Sequence, residues 1–403
     1  MKGHQRYIWI IAVACLLPLP VLWLNWLLLA DYGEWKSLQQ VVQEQRRGPQ
    51  EVLYGTGLHD DEFAYKMALL EAVRPRVVVI GSSRAMMFER RFFSHSFVNA
   101  GRAMSSIHAG YPIADRLLAL TPPPQLVIIV ADFWWFNARH RLPLPMGTAP
   151  PPEPRLTLAK WLKPVTWLKQ RKISLSEWLR WPWWSEGRRE PSPHIGIRAI
   201  QQGNGFLPDG SGLYTALAVG DLPSTDPRFS ATLADIAQRR HGVFQASRHA
   251  DPLYLDRFAA LVKKMESAGM AVVVTLAPVA PAVKKEVERQ GQDFAYMAEI
   301  APQLAERGVR VHDYLTHERE LAGDCEYLDG FHGGRVLYAR LLHDMLQADP
   351  QRLAPHVDAP FLQTVIAEQA GRTQSENPFM RGRPEVDFLQ LGCDKSPPQA
   401  AAP

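Results

Sequence analysis

Short apolar runs alternate with stretches of helical period along most of this chain. Arg76–Ile80 (RVVVI), Leu126–Ala131 (LVIIVA) and Met270–Leu276 (MAVVVTL) are β-branched and lack the alternating polarity of a half-exposed strand. Each therefore predicts a strand buried on both faces. Phe97–Asn99 and Val309–His312 are shorter candidates of the same kind. Between them, residues 107–120, 282–307 and 335–347 read as helices. Residues 252–269 place Leu255, Phe258, Leu261 and Met265 on one helical face. Buried strands separated by amphipathic helices predict an α/β domain with a doubly wound, mostly parallel sheet of five strands. In such sheets chemistry gathers beyond the carboxyl ends of the strands.

Two segments depart from this rhythm. Lys2 and Arg6 precede an uncharged run from Tyr7 to Ala30, closed by Asp31 and Glu34. A helix of about 20 apolar residues crosses a bilayer, whereas the core of a cleaved signal peptide has about 7–15. Residues 1–35 are therefore expected to be a transmembrane anchor. The basic residues ahead of the run place the N-terminus in the cytoplasm and the rest of the chain outside it. Residues 36–60 read as a polar stalk, 61–350 as the main domain, and 351–403 as a peripheral tail.

The second departure is an insertion over about 133–250. It is rich in Pro and holds Trp134, Trp135, Trp161, Trp167, Trp178, Trp181, Trp183 and Trp184 among many Lys and Arg. A sugar-stacking platform, a membrane-surface segment and the plain core of an inserted cap all fit that composition. Cys15 falls inside the apolar run, and Cys325 and Cys393 either pair or remain thiols.

Composition narrows the function classes. The chain has 403 residues, 46% apolar and 21% charged, a globular balance. A formal charge of +4 and the lack of a basic stripe argue against nucleic acid.

Candidate chemistry sits at two places where strands end. Arg76–Ile80 runs into Gly81-Ser82-Ser83-Arg84, and Ala85–Phe88 then reads as helix. A serine at such a turn is exposed beside backbone N–H groups that can stabilise an oxyanion, although serine is also a common helix cap. Tyr327-Leu328-Asp329-Gly330-Phe331-His332-Gly333-Gly334 precedes the last helix. A serine hydroxyl needs a base, and the base needs an orienting carboxylate; Asp329 and His332 supply both from one loop. A glycine-rich capping turn and a metal site using His312, Asp313, His317, Asp329 and His332 are the competing readings. The latter lacks recognisable ligand spacing.

With Ser83, Asp329 and His332 in this chain order, the sequence resembles the SGNH (GDSL-like) hydrolase superfamily over about residues 70–350, the insertion excepted. It is most similar to membrane-anchored extracytoplasmic members, the D-alanyl-lipoteichoic-acid biosynthesis and alginate O-acetylation proteins. The resemblance implies Ser83 as nucleophile, His332 as general base and Asp329 as its partner. It implies an oxyanion hole from the N–H groups of Ser83 and Gly101, with Asn137 standing in for the family's third-block asparagine. Ser82 replaces the usual Asp of the first block, and the usual third block is absent: Ala131-Asp132-Phe133-Trp134-Trp135-Phe136-Asn137 stands there instead. The implied activity is serine-dependent O-acyl transfer, acetyl above all, from a small acyl donor to a cell-envelope glycan. A membrane-bound O-acyltransferase is the implied partner, and no cofactor or metal is expected. A deacylating carbohydrate esterase and a non-catalytic glycan-binding or assembly protein are the alternatives.

Overall fold

A computed structural model describes residues 7–8, 18–47, 51–58, 62–140, 157–179, 193–240, 242–316, 320–374, 378–380 and 382–396. The chain divides into two compact units, Met1–Asp61 with Pro152–Gly205, and Glu62–Pro151 with Phe206–Pro403.

The second unit is built on a five-stranded parallel sheet. In chain order its main elements are α1 (Glu62–Val73), β1 (Val77–Gly81), β2 (Phe97–Gly101), α2 (Ile107–Ala119), β3 (Leu126–Ala131), α3 (Pro252–Glu266), β4 (Ala271–Leu276), α4 (Pro281–Arg289), α5 (Tyr296–Glu306), β5 (Val311–Asp313), α6 (Arg335–Ala348) and α7 (Ala359–Glu368). The strand order is β2-β1-β3-β4-β5, and every neighbouring pair is parallel. This is a doubly wound order, whose direction reverses between β1 and β3. β1, β2 and β3 are buried along their whole length, as their unbroken apolar character predicts.

Four expectations need correcting. The predicted helix over 282–307 is two helices, because Gly291 takes a left-handed conformation (φ +57°) just past the end of α4. The stretch expected as a stalk is folded: Leu38–Arg47 is a helix, and Leu53–Tyr54 pairs in parallel with His194–Ile195. The insertion is divided between the units, residues 133–140 and 206–250 remaining with the sheet.

The tail, finally, is an integral part of the second unit. α7 packs on α6, and Thr373 O accepts from Arg335 N at 2.6 Å. Buried Glu385 accepts from Thr373 N, Thr373 Oγ1, Gln374 N and Lys395 Nζ. Cys325 and Cys393 form a disulfide that closes this segment onto the loop ahead of α6, their Cα atoms 5.9 Å apart.

In the first unit, Pro18–Asp31 is helical and buries Asn25, Leu28 and Leu29. Leu28 and Leu29 pack with Trp167, Ile173 and Ile197, and Trp161 and Trp178 border the cluster. Asn25 fastens both: its Nδ2 donates to Trp161 O (3.1 Å), and its Oδ1 accepts from Trp178 Nε1 (2.7 Å). Glu34 accepts from Thr56 Oγ1, Gly57 N and Ile197 N, which ties the end of this segment to the strand pair. Among the described residues no helix is long and apolar enough to cross a membrane. Of the expected anchor, residues 1–6 and 9–17, Cys15 included, lie outside the described residues, as do Trp181, Trp183 and Trp184.

Candidate active site

β1 delivers Ser83 to the carboxyl edge of the sheet, beside the point where the strand order reverses. Gly81 is required there by space, since a Cβ would fall 2.8 Å from Val130 O and 2.9 Å from Ala85 Cβ. Ser83–Met87 is a short 3-10 turn, not the expected α-helix. A single tight turn carries little macrodipole, so the help expected from a helix N-terminus is small. Ser82 caps this turn, its Oγ accepting from Arg84 N at 3.2 Å, and Ser83 is left half-buried with its hydroxyl turned to other work.

The loop ahead of α6 brings the other two residues to it. Ser83 Oγ lies 2.8 Å from His332 Nε2, and His332 Nδ1 lies 2.7 Å from Asp329 Oδ2. An ionised carboxylate only accepts, so Nδ1 carries the ring proton and donates it to Asp329. Nε2 is then the acceptor facing the serine hydroxyl. Asp329 Oδ1 also accepts from Phe331 N (2.9 Å) and His332 N (2.8 Å). Burial pushes the Asp329 carboxyl up, but the His332 ring and these hydrogen bonds outweigh it and hold the group below its ordinary value. Asp329 thus stays ionised where an orienting carboxylate must be.

The insertion braces this loop. Buried Asp226 accepts from Ala231 N and Thr232 N with one oxygen, and from Thr232 Oγ1 (2.7 Å) and Gly330 N (3.0 Å) with the other. Gly330 is obligatory, because a Cβ would sit 2.5 Å from Thr232 Cγ2. On the other side Phe331 lies tilted against His332, ring centroids 4.3 Å apart, and meets Trp134 and Phe244 edge-on. Phe244 also lines a mostly apolar cavity of about 270 Å³ with Val279, Phe294, Met297 and Leu315.

Sequence reasoning passed over the residue that locks these parts together. Arg84 is 1% exposed and donates to Phe331 O (2.9 Å), Ala277 O (2.7 Å) and Pro278 O (2.6 Å). Its guanidinium also lies 3.4 Å from Asp132, the buried residue that follows β3. One side chain therefore joins the serine turn, the histidine loop and the ends of β3 and β4. Burial raises the Asp132 carboxyl to about 6, against the pull of Arg84, a Ser82 hydrogen bond and His332. A planar five-donor cation suits such a clamp, but an Arg beside a Ser carries no sequence signal. Asn99 is a second such residue: its Nδ2 donates to Ala85 O and Phe88 O, holding the serine turn from β2.

Of the expected oxyanion donors, Ser83 N–H has no hydrogen-bond partner among the described residues. The other two are committed elsewhere. Gly101 N donates to Asn99 Oδ1 at 2.7 Å. Asn137 is fully buried, donates to Gln245 O at 2.6 Å and accepts from Arg139 N at 2.9 Å. Neither is poised for a developing oxyanion as the chain stands.

No family model, curated protein or solved structure matches this chain. The functional reading therefore rests on residues and geometry. Among the described residues no group of three or more His, Cys, Asp or Glu is arranged to hold a metal ion. Of the residues that could form a metal site, Asp313 accepts from Leu315 N, Thr316 N and Thr316 Oγ1, His332 faces Ser83 and Asp329 holds His332; His317 lies outside the described residues. Of the insertion's described tryptophans, Trp134, Trp135 and Trp167 are 6%, 4% and 2% exposed, so these three present no open face for a sugar ring.

Proposed function

We propose that this protein is an SGNH-type serine acyltransferase, held to the bacterial inner membrane by its N-terminal helix, that O-acylates a cell-envelope glycan outside the cytoplasm. The observation that carries the proposal is the unbroken relay from Ser83 Oγ through His332 to Asp329. In the proposed reaction Ser83 Oγ attacks the acyl carbonyl of a small donor while His332 Nε2 takes the hydroxyl proton. The tetrahedral oxyanion draws on Ser83 N–H. Collapse expels the donor's leaving group, which receives the proton from His332, and leaves the acyl group as an ester on Ser83. A glycan hydroxyl, deprotonated by the same histidine, then attacks that ester; the acyl group moves to the glycan and the proton returns to Ser83. No metal or cofactor is required by this sequence. The disulfide of Cys325 with Cys393 supports an oxidising, extracytoplasmic setting. A membrane-bound O-acyltransferase that exports the acyl group is the proposed donor partner.

A deacylating esterase would share the same acyl-enzyme and differ only in giving it to water. Envelope-glycan O-acetylation, read by NMR in cells making wild type or Ser83→Ala at equal levels, separates the readings. The proposal expects fewer acetyl groups in the variant. A gain supports the esterase, and no change overturns both in favour of a non-catalytic role in binding or assembly.

A further inference from the structure

The exposed apolar side chains of the first unit are arranged, not scattered. Leu158, Leu162 and Val165 follow one another at helical spacing along two short helices, and Leu175 and Leu179 repeat that spacing on the next. Leu158 is 65% exposed and Leu175 55%. The opposite side of the same helices carries Trp161, Trp167 and Trp178 inward onto the Pro18–Asp31 helix. Core packing thus explains the tryptophans and leaves the leucines unexplained. The Pro18–Asp31 helix repeats the pattern, with Leu19, Trp23 and Trp26 outward and Asn25, Leu28 and Leu29 inward.

Charge identifies the occupant. Residues 157–179 carry five cations, Lys160, Lys163, Lys169, Arg171 and Lys172, against one carboxylate, Glu177. That carboxylate is already engaged in capping Ser174. Outward leucines bordered by lysine and arginine fit the boundary between anionic headgroups and acyl chains. They do not fit a sugar, which stacks on aromatic faces, because the tryptophans of residues 157–179 pack onto the Pro18–Asp31 helix.

We infer that the leucine face of residues 157–179 docks on an anionic lipid bilayer, so that the insertion works as a membrane-seated collar around the base of the N-terminal helix. These helices are fastened near the outer end of the proposed anchor, at Asn25, Leu28 and Leu29, where headgroup level is expected. The inference rests on the anchor part of the proposed function and is independent of the acyl chemistry.

The test uses the full chain with Cys15→Ser, reconstituted in nanodiscs containing phosphatidylglycerol. A nitroxide is placed at Leu162→Cys, at Leu175→Cys, or at Leu222→Cys, an exposed position of the second unit. Collision with oxygen and with a water-soluble nickel chelate is read by electron paramagnetic resonance. Labels at 162 and 175 are expected to be oxygen-accessible and nickel-shielded, and the label at 222 the reverse. Adding Lys169→Glu, Arg171→Glu and Lys172→Glu should abolish the shielding while far-UV circular dichroism and tryptophan fluorescence stay as in wild type, which shows that the chain remains folded. Nanodisc-bound protein with nickel-accessible labels at 162 and 175 overturns the inference and spares the anchor. Shielding that is unchanged in purely zwitterionic nanodiscs overturns the electrostatic half of it. A chain that does not associate with nanodiscs overturns both readings.

Discussion

Replacing Arg84 by Met keeps the length of the side chain and deletes its charge and donors. Three carbonyls, of Phe331, Ala277 and Pro278, the second of them buried, lose their partner, and Asp132 loses its counter-ion. A hydrogen bond to a charged group contributes about 1.5–3 kcal/mol, and breaking a buried ion pair from one side costs about 3–5 kcal/mol. These terms overlap and do not add. Asp132 also limits the loss, because a carboxyl already raised to about 6 escapes the unpaired charge by taking a proton. The expected destabilisation is about 3–5 kcal/mol, measured by urea unfolding followed through tryptophan fluorescence. The local effect should exceed the global one. Phe331 O adjoins His332, so its release frees the base, and fluorophosphonate labelling of Ser83 should slow under conditions where the variant is still folded. Arg84→Met with Asp132→Asn removes both charges and should recover part of the stability but not the labelling rate. A loss below about 1 kcal/mol with labelling at the wild-type rate would refute the clamp.

Three further outcomes follow from the same geometry. Asp329→Asn should leave the fold intact and lower the Ser83 acylation rate by about 10⁴-fold, because an amide stabilises the wrong tautomer of His332; a rate within tenfold of wild type would remove Asp329 from the relay. Asp132 is raised from 3.8 to about 6, so between those values the folded chain holds a proton that the unfolded chain has released. Stability therefore falls as pH climbs through that window, and Asp132→Asn should flatten this limb in unfolding titrations; an unchanged limb assigns it to other groups. Opening the Cys325–Cys393 bridge, which spans 68 residues, with Cys325→Ser and Cys393→Ser should cost about 2–4 kcal/mol; reductant should reproduce the loss in wild type, and equal unfolding midpoints would contradict it.

Much of the sheet was legible because its strands are buried on both faces and so read as unbroken β-branched runs. β5, three residues long, is displaced from its predicted span because so short a run carries little periodicity. Ser83, Asp329 and His332 could be grouped from residue type and position at strand ends. Gly101 and Asn137 mark a different limit: a sequence shows which donors exist, not which are hydrogen-bonded to neighbours. Asn99 takes one and Gln245 the other. Arg84 and Asp226 work through contacts across more than a hundred residues, and neither belongs to a recognisable spacing. The association of Asn25 with Trp161 and Trp178 is equally non-local, which is why the insertion read as one block although it folds as two.

The most direct test of the relay is the mass of the intact protein after exposure to a fluorophosphonate, followed by peptide mapping. The account predicts one adduct on Ser83 in wild type, and no adduct at that position in Ser83→Ala or His332→Ala. An unlabelled wild-type protein, or a Ser83 adduct that forms equally fast without His332, would contradict it.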